Sequence, residues 1–108
     1  MARTIAEAKM IANRVVAFVH KKFPVTAAYL FGSYVTGTPH EESDIDIAIF
    51  ADGVESMNVD ERITFIASLQ KEIAADIELH LFPSSYLKEQ RPSNFIGYLI
   101  SKGECLAA

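Results

Sequence analysis

Residues 30–50 read LFGSYVTGTPHEESDIDIAIF, and this stretch decides the architecture. Its second half alternates. Ile45, Ile47 and Ile49 fall on one side of an extended chain and Asp44 and Asp46 on the other, the period-two signature of a strand with one buried face. The two carboxylates then stand about 7 Å apart along the open face. Oxygens so placed can converge on hard divalent cations, which take few protein carboxylates and leave room for phosphate and water. The first half, Ala27 to Phe31, reads as another strand, and Gly32 breaks it. Lacking a Cβ, Gly32 lets a ligand approach the main chain closely, and backbone N–H groups in such a turn can form an anion-binding nest. A short helix starting near Ser33 would add a favourable partial charge, and the Ser33 hydroxyl can donate to an anion. Gly37 allows the chain to turn back, and Thr38-Pro39-His40 reads as loop. An Asp-x-Asp on a strand is most often a solvated face, and a Gly-Ser is most often a turn. Joined at this spacing between two strands, they point to a phosphate nest and metal-binding acids at one sheet edge.

Outward from this stretch, Thr4 to Lys22 has helical spacing, with Ile5, Ala8, Ile11, Ala12, Val15, Val16 and Val19 on one stripe. Thr4 with Glu7 predicts a capping box, and Phe23-Pro24 ends the helix. Val25 to Phe31 is the first strand, Tyr34 to Gly37 a short helix and Ser43 to Phe50 the second strand. Asp52-Gly53 marks a turn. Val59 to Ala74 is a second long helix with Asn58 as N-cap, and Val59, Ile63, Ile66, Leu69 and Ile73 are its expected buried face. Asp76 to Leu81 alternates again: Asp76, Glu78 and His80 share one face, and Ile77, Leu79 and Leu81 the other. A last helix spans Asn94 to Lys102, with Ser93 as its cap and Gly103 at its stop. The order is α-β-(α)-β-α-β-α. The short link makes the first two strands antiparallel, and the helical crossover makes the second and third parallel. The expected fold class is α/β (α+β): a small mixed sheet of about three strands, helices on one face, the acids on the other.

At 108 residues the chain is expected to be a single domain, 1–108. Half its residues are hydrophobic, enough for a core, and no run approaches a membrane span. The N-terminus carries charged residues where a signal peptide would be apolar, so the expected location is cytoplasmic. The single Cys105 permits no internal disulfide. A net charge of −4 argues against strong unaided nucleic-acid binding. Arg3, Lys9, Arg14, Lys21 and Lys22 read as a solvated helix face, and His40 beside Glu41 and Glu42 as a solvated loop.

The conjunction of Gly32-Ser33 with Asp44-x-Asp46 resembles the hallmark of the nucleotidyltransferase superfamily related to DNA polymerase beta, most of all its minimal prokaryotic members. Gly37 and Ser43 match as well, and Thr36 stands where members often carry Arg. The resemblance implies a nucleotidyltransferase fold and transfer of a nucleoside monophosphate from an NTP, ATP being the first expectation, to a hydroxyl. It implies two Mg²⁺ ions on Asp44 and Asp46, and Gly32, Ser33, Gly37 and Ser43 around the nucleotide. It also implies a third acid on the third strand, as metal ligand or proton acceptor. Asp76 and Glu78 both qualify; the reading leans to Asp76, with the usual residue type, while Glu78 lies nearer mid-strand. His80 reads as a bystander. Many relatives act as antitoxins by adenylylating a small helical HEPN-domain protein, so a partner of that kind is implied. The alternative is a module that binds NTP and metal, or a partner, without turnover.

Overall fold

The computed structural model describes residues 3–36, 44–89 and 94–107. Helix α1 (Ile5–His20) leads into strand β1 (Val25–Phe31) and the short helix α2 (Ser33–Thr36). Strand β2 (Ile45–Ala51), helix α3 (Val59–Glu72) and strand β3 (Ile77–Pro83) follow, then helix α4 (Phe95–Lys102) and strand β4 (Glu104–Ala107). The sheet order is β3-β2-β1-β4. β1 runs antiparallel to β2 and β4, and β2 parallel to β3 across the α3 crossover.

Local chemistry sets the helix starts. Thr4 Oγ1 accepts from the Glu7 N–H at 3.0 Å while Glu7 Oε1 accepts from the Thr4 N–H at 2.9 Å. Asn58 and Glu61 repeat this reciprocal arrangement at α3, so each helix has orphan donors satisfied at its first turn. Asn94 caps α4 by accepting from the Gly97 N–H at 2.8 Å; the expected cap, Ser93, lies outside the described residues.

The structure corrects three expectations. First, the sheet has four strands. Glu104–Ala107 carries little alternation, but the open edge of β1 offers unpaired backbone groups that this segment fills. Second, helices cover both faces. Ala8, Ala12, Val15 and Val19 of α1 and Phe65 and Leu69 of α3 pack on Leu30, Ile45, Ile47 and Ile49. On the opposite face, Ile96 and Leu99 of α4 pack on Ala27, Tyr29, Ala48 and Phe50. β2 is apolar on both sides beyond Asp46, so its second face also leaves water. Third, the α3 stripe is buried only over its second half, where Leu69 lies in the core and Ile66 and Ile73 pack against it. Val59 and Ile63 are 73% and 60% exposed, while Phe65 and Leu69 are buried. The Phe65 ring meets Phe18 and Phe23 at 5.5 and 5.8 Å, and that aromatic contact turns the helix toward α1. A second anchor comes from β3, whose carbonyls at Leu81 and Ile77 accept from Arg62 and Gln70 of α3.

Candidate active site

The register of the central strands arranges the α4-side face in lateral rows. Phe31 pairs with Asp46, and Asp46 with Glu78. The next row is Tyr29, Ala48 and His80, and the one after it holds Phe50 and Phe82. Acids therefore occupy one end of this face and rings the rest. Ligand atoms of Asp46, Glu78 and His80 all lie within 4.8 Å of one another, and His80 Nε2 stands 3.5 Å from a Glu78 carboxylate oxygen. Asp44, exposed, sits just before β2.

Gly32 closes β1 with φ +83°, a backbone conformation that side chains rarely adopt. A Cβ there would collide with Oδ2 of Asp46. The glycine and the acid thus occupy one space, and the turn can lie against the carboxylate only because position 32 has no side chain. Ser33 opens α2 at this point. Gly37 and Ser43 lie outside the described residues, as does His40.

Electrostatics single out Asp46. Its carboxyl is pushed up to about 7, first by desolvation, then by its hydrogen bond to Glu78 and the charges of Glu78 and Asp44. Two carboxylates held together in a half-buried site cannot both ionise without cost. Among the described residues, neither forms an ion pair with a lysine or arginine. A proton or a cation must answer that charge. The donor set, carboxylates with an imidazole beside them, fits a divalent metal ion.

Asp76 is placed differently. Arg3 Nε and Nη2 donate to its two carboxylate oxygens at 2.9 and 3.2 Å, and this bidentate contact holds the Asp76 carboxyl below its ordinary value. The third acid that the fold brings to Asp46 is Glu78, against the lean toward Asp76. Asp76 precedes β3, and its oxygens are taken by a cation 73 residues away in sequence. Arg3 is a residue that sequence reasoning passed over as a solvated helix charge. Its N–H also donates to the hydroxyl of Tyr34 at 3.3 Å, and Tyr34 is buried on α2 directly after the Gly32 turn. No local pattern signals this clamp. His80 is no bystander by position: it completes the acid cluster, and its ring lies 5.3 Å from Phe31 and 6.2 Å from Phe95.

A mixed sheet thus sets a glycine turn beside paired acids, a place for an anion and a divalent cation together. The family model described as polymerase beta, nucleotidyltransferase, matches residues 13–107. The chain belongs to that family and is a nucleotidyltransferase. A Methanocaldococcus jannaschii protein, provisionally named a protein adenylyltransferase, is 32% identical over 77 residues, covering 71% of this chain and 77% of the relative. Among solved structures, a toxin–antitoxin with AMP-PNP superposes with a TM-score of 0.60 at 26% identity, covering 88% of this chain and 71% of that one. A provisionally assigned nucleotidyltransferase from Sulfolobus solfataricus shares the fold at a TM-score of 0.56 and 23% identity, with 82% of each chain covered. Among the described residues, no helix is long and apolar enough to cross a membrane.

Proposed function

We propose that this protein, as a single domain, moves AMP from ATP to a hydroxyl on a partner protein, releasing pyrophosphate, and so acts as the antitoxin to a small helical HEPN-type toxin. The observation that carries the reading is the Asp46–Glu78 pair beside the Gly32 turn: two neighbouring carboxylates with no lysine or arginine partner among the described residues, one of them set against a backbone turn that has no side chain. Likeness to an adenylyltransferase and to a toxin–antitoxin supports the nucleotide and the kind of partner. The reading places the protein in the cytoplasm, where ATP is supplied.

In this reading Gly32 and Ser33 receive the β- and γ-phosphates, with Gly37 and Ser43 as further nucleotide-binding residues. Asp44 and Asp46 would hold two Mg²⁺ ions, which when bound would supply the positive charge that the triphosphate and the leaving group need. The acceptor oxygen attacks the α-phosphorus, the bond to the bridging oxygen breaks, and pyrophosphate carries the electron pair away. Glu78 takes the hydroxyl proton, and His80 Nε2 beside it relays the proton toward solvent. Asp76, engaged by Arg3, orients the start of β3 and ligates nothing. The chain's work is positioning and charge placement.

Incubation with α-labelled ATP, Mg²⁺ and the co-purifying partner tests this. Label should move to the partner and vanish with Asp44→Asn plus Asp46→Asn. An unlabelled partner with the wild-type protein overturns the reading and leaves a binding module.

A further inference from the structure

The exposed rings of this molecule are not scattered. Among the described residues, Tyr86, Phe95 and Tyr98 are the large exposed aromatics, and Phe95 and Tyr98 are each 42% exposed. All three belong to one ring network on the acid-bearing face of the sheet. Phe95 meets Phe31 at 5.4 Å, His80 at 6.2 Å, Phe82 at 6.2 Å and Tyr98 at 6.4 Å, and Tyr86 meets Phe82 at 5.9 Å. The exposed apolar residues of α1 and α3, on the other side, are aliphatic: Ile5, Met10, Val59 and Ile63.

We propose that Phe95, backed by Phe31 and His80, stacks the base of the incoming nucleoside triphosphate, and that the protein prefers purine to pyrimidine triphosphates. The inference rests on the phosphate and acid assignments of the proposed function. Phe31 immediately precedes Gly32 and pairs across the sheet with Asp46. His80 lies one pleat along β3 from Glu78. The ring wall thus begins one residue from the phosphate turn and one pleat from the acids. With the β- and γ-phosphates at the turn and the α-phosphate at the acids, the ribose and base continue onto that wall. A base has an apolar face that stacks on a ring, and a purine covers more of it.

The ring is also held in place. Phe95 is the first residue of α4, next to the Asn94 cap, while Ile96 and Leu99 fix the helix in the core. Phe31 lies edge-on to it at 76°. An aromatic surface so positioned loses little freedom when a ligand arrives.

Titration calorimetry with Mg²⁺ tests the proposal, using a non-hydrolysable ATP analogue, the matching CTP analogue and inorganic tripolyphosphate. Phe95→Ala and Phe95→Leu should each weaken the ATP analogue about tenfold, and Phe95→Trp should retain its affinity. Tripolyphosphate should bind all four proteins equally, and the wild-type preference for ATP over CTP analogue should narrow in Phe95→Ala. Phe95→Leu keeps an apolar side chain in the core-facing contacts, and its melting temperature reports that it is folded. Unchanged ATP-analogue affinity in both variants overturns the proposal. A wild-type protein that binds neither the ATP analogue nor tripolyphosphate overturns the underlying reading as well.

Discussion

Replacing Glu78 by Gln should make the metal-free protein more stable at neutral and higher pH while abolishing transfer. Asp46 carries an ordinary carboxyl of 3.8 up to about 7 in the folded chain. Three units at about 1.4 kcal/mol each set a ceiling of about 4 kcal/mol. The site is only half-buried, and solvent screening leaves roughly half of that. Desolvation is the largest cause and survives the substitution; Glu78 supplies the next two. Removing its charge therefore recovers about 1 kcal/mol, which for a domain of this size is about 4–8 °C in melting temperature. The sign follows from proton counting. Between pH 3.8 and about 7 the folded chain binds a proton at Asp46 that the unfolded chain has released. Stability falls as pH rises through that window and levels off above it. The assay is thermal unfolding in a chelating buffer at pH 5 and pH 8. Glu78→Gln should match the wild type at pH 5 and melt above it at pH 8, and added Mg²⁺ should raise the wild type more than the variant. A variant that melts at or below the wild type at pH 8, with the same pH slope, would refute the reasoning.

Other substitutions probe the parts around the pair. Gly32→Ala must take φ +83° and meet Asp46 Oδ2, so it should cost about 1–3 kcal/mol in a urea melt and eliminate transfer. Arg3→Met removes the bidentate hold on Asp76 and the charge beside it; both side chains are about one-third exposed, so the loss should be about 1 kcal/mol, measured by denaturant midpoint at pH 7. That contribution should shrink as pH falls below 3.8, where the unfolded chain takes up the proton first, and be gone once the pH passes the value to which Arg3 depresses the folded carboxyl. Val59→Lys and Ile63→Lys lie on the exposed side of α3 and should shift stability by less than about 0.5 kcal/mol, whereas Leu69→Ala in the core should cost about 2–5 kcal/mol. Equal losses at positions 63 and 69 would show that the helix buries the stripe expected from spacing alone.

Much of this protein is written locally. The alternation of Ile45, Ile47 and Ile49 puts Asp46 on the opposite face by backbone geometry alone, and the structure keeps it there. Gly32 had to break a strand, and the capping box at Thr4 and the N-cap at Asn58 were readable because the groups they satisfy lie within three residues. These features depend on neighbours within one turn or one pleat. Register does not. That Glu78 faces Asp46, while Asp76 turns to Arg3, depends on how β3 slides along β2 and on where the chain's beginning docks. The fourth strand exists because β1 has an edge to fill. The exposure of Val59 and Ile63 goes with the ring of Phe65 against α1, and Phe95 gains meaning only when α4 lies across the acid-bearing face beside Phe31 and His80. Periodicity tells each residue which side of its own element it occupies; only packing decides which other element stands there.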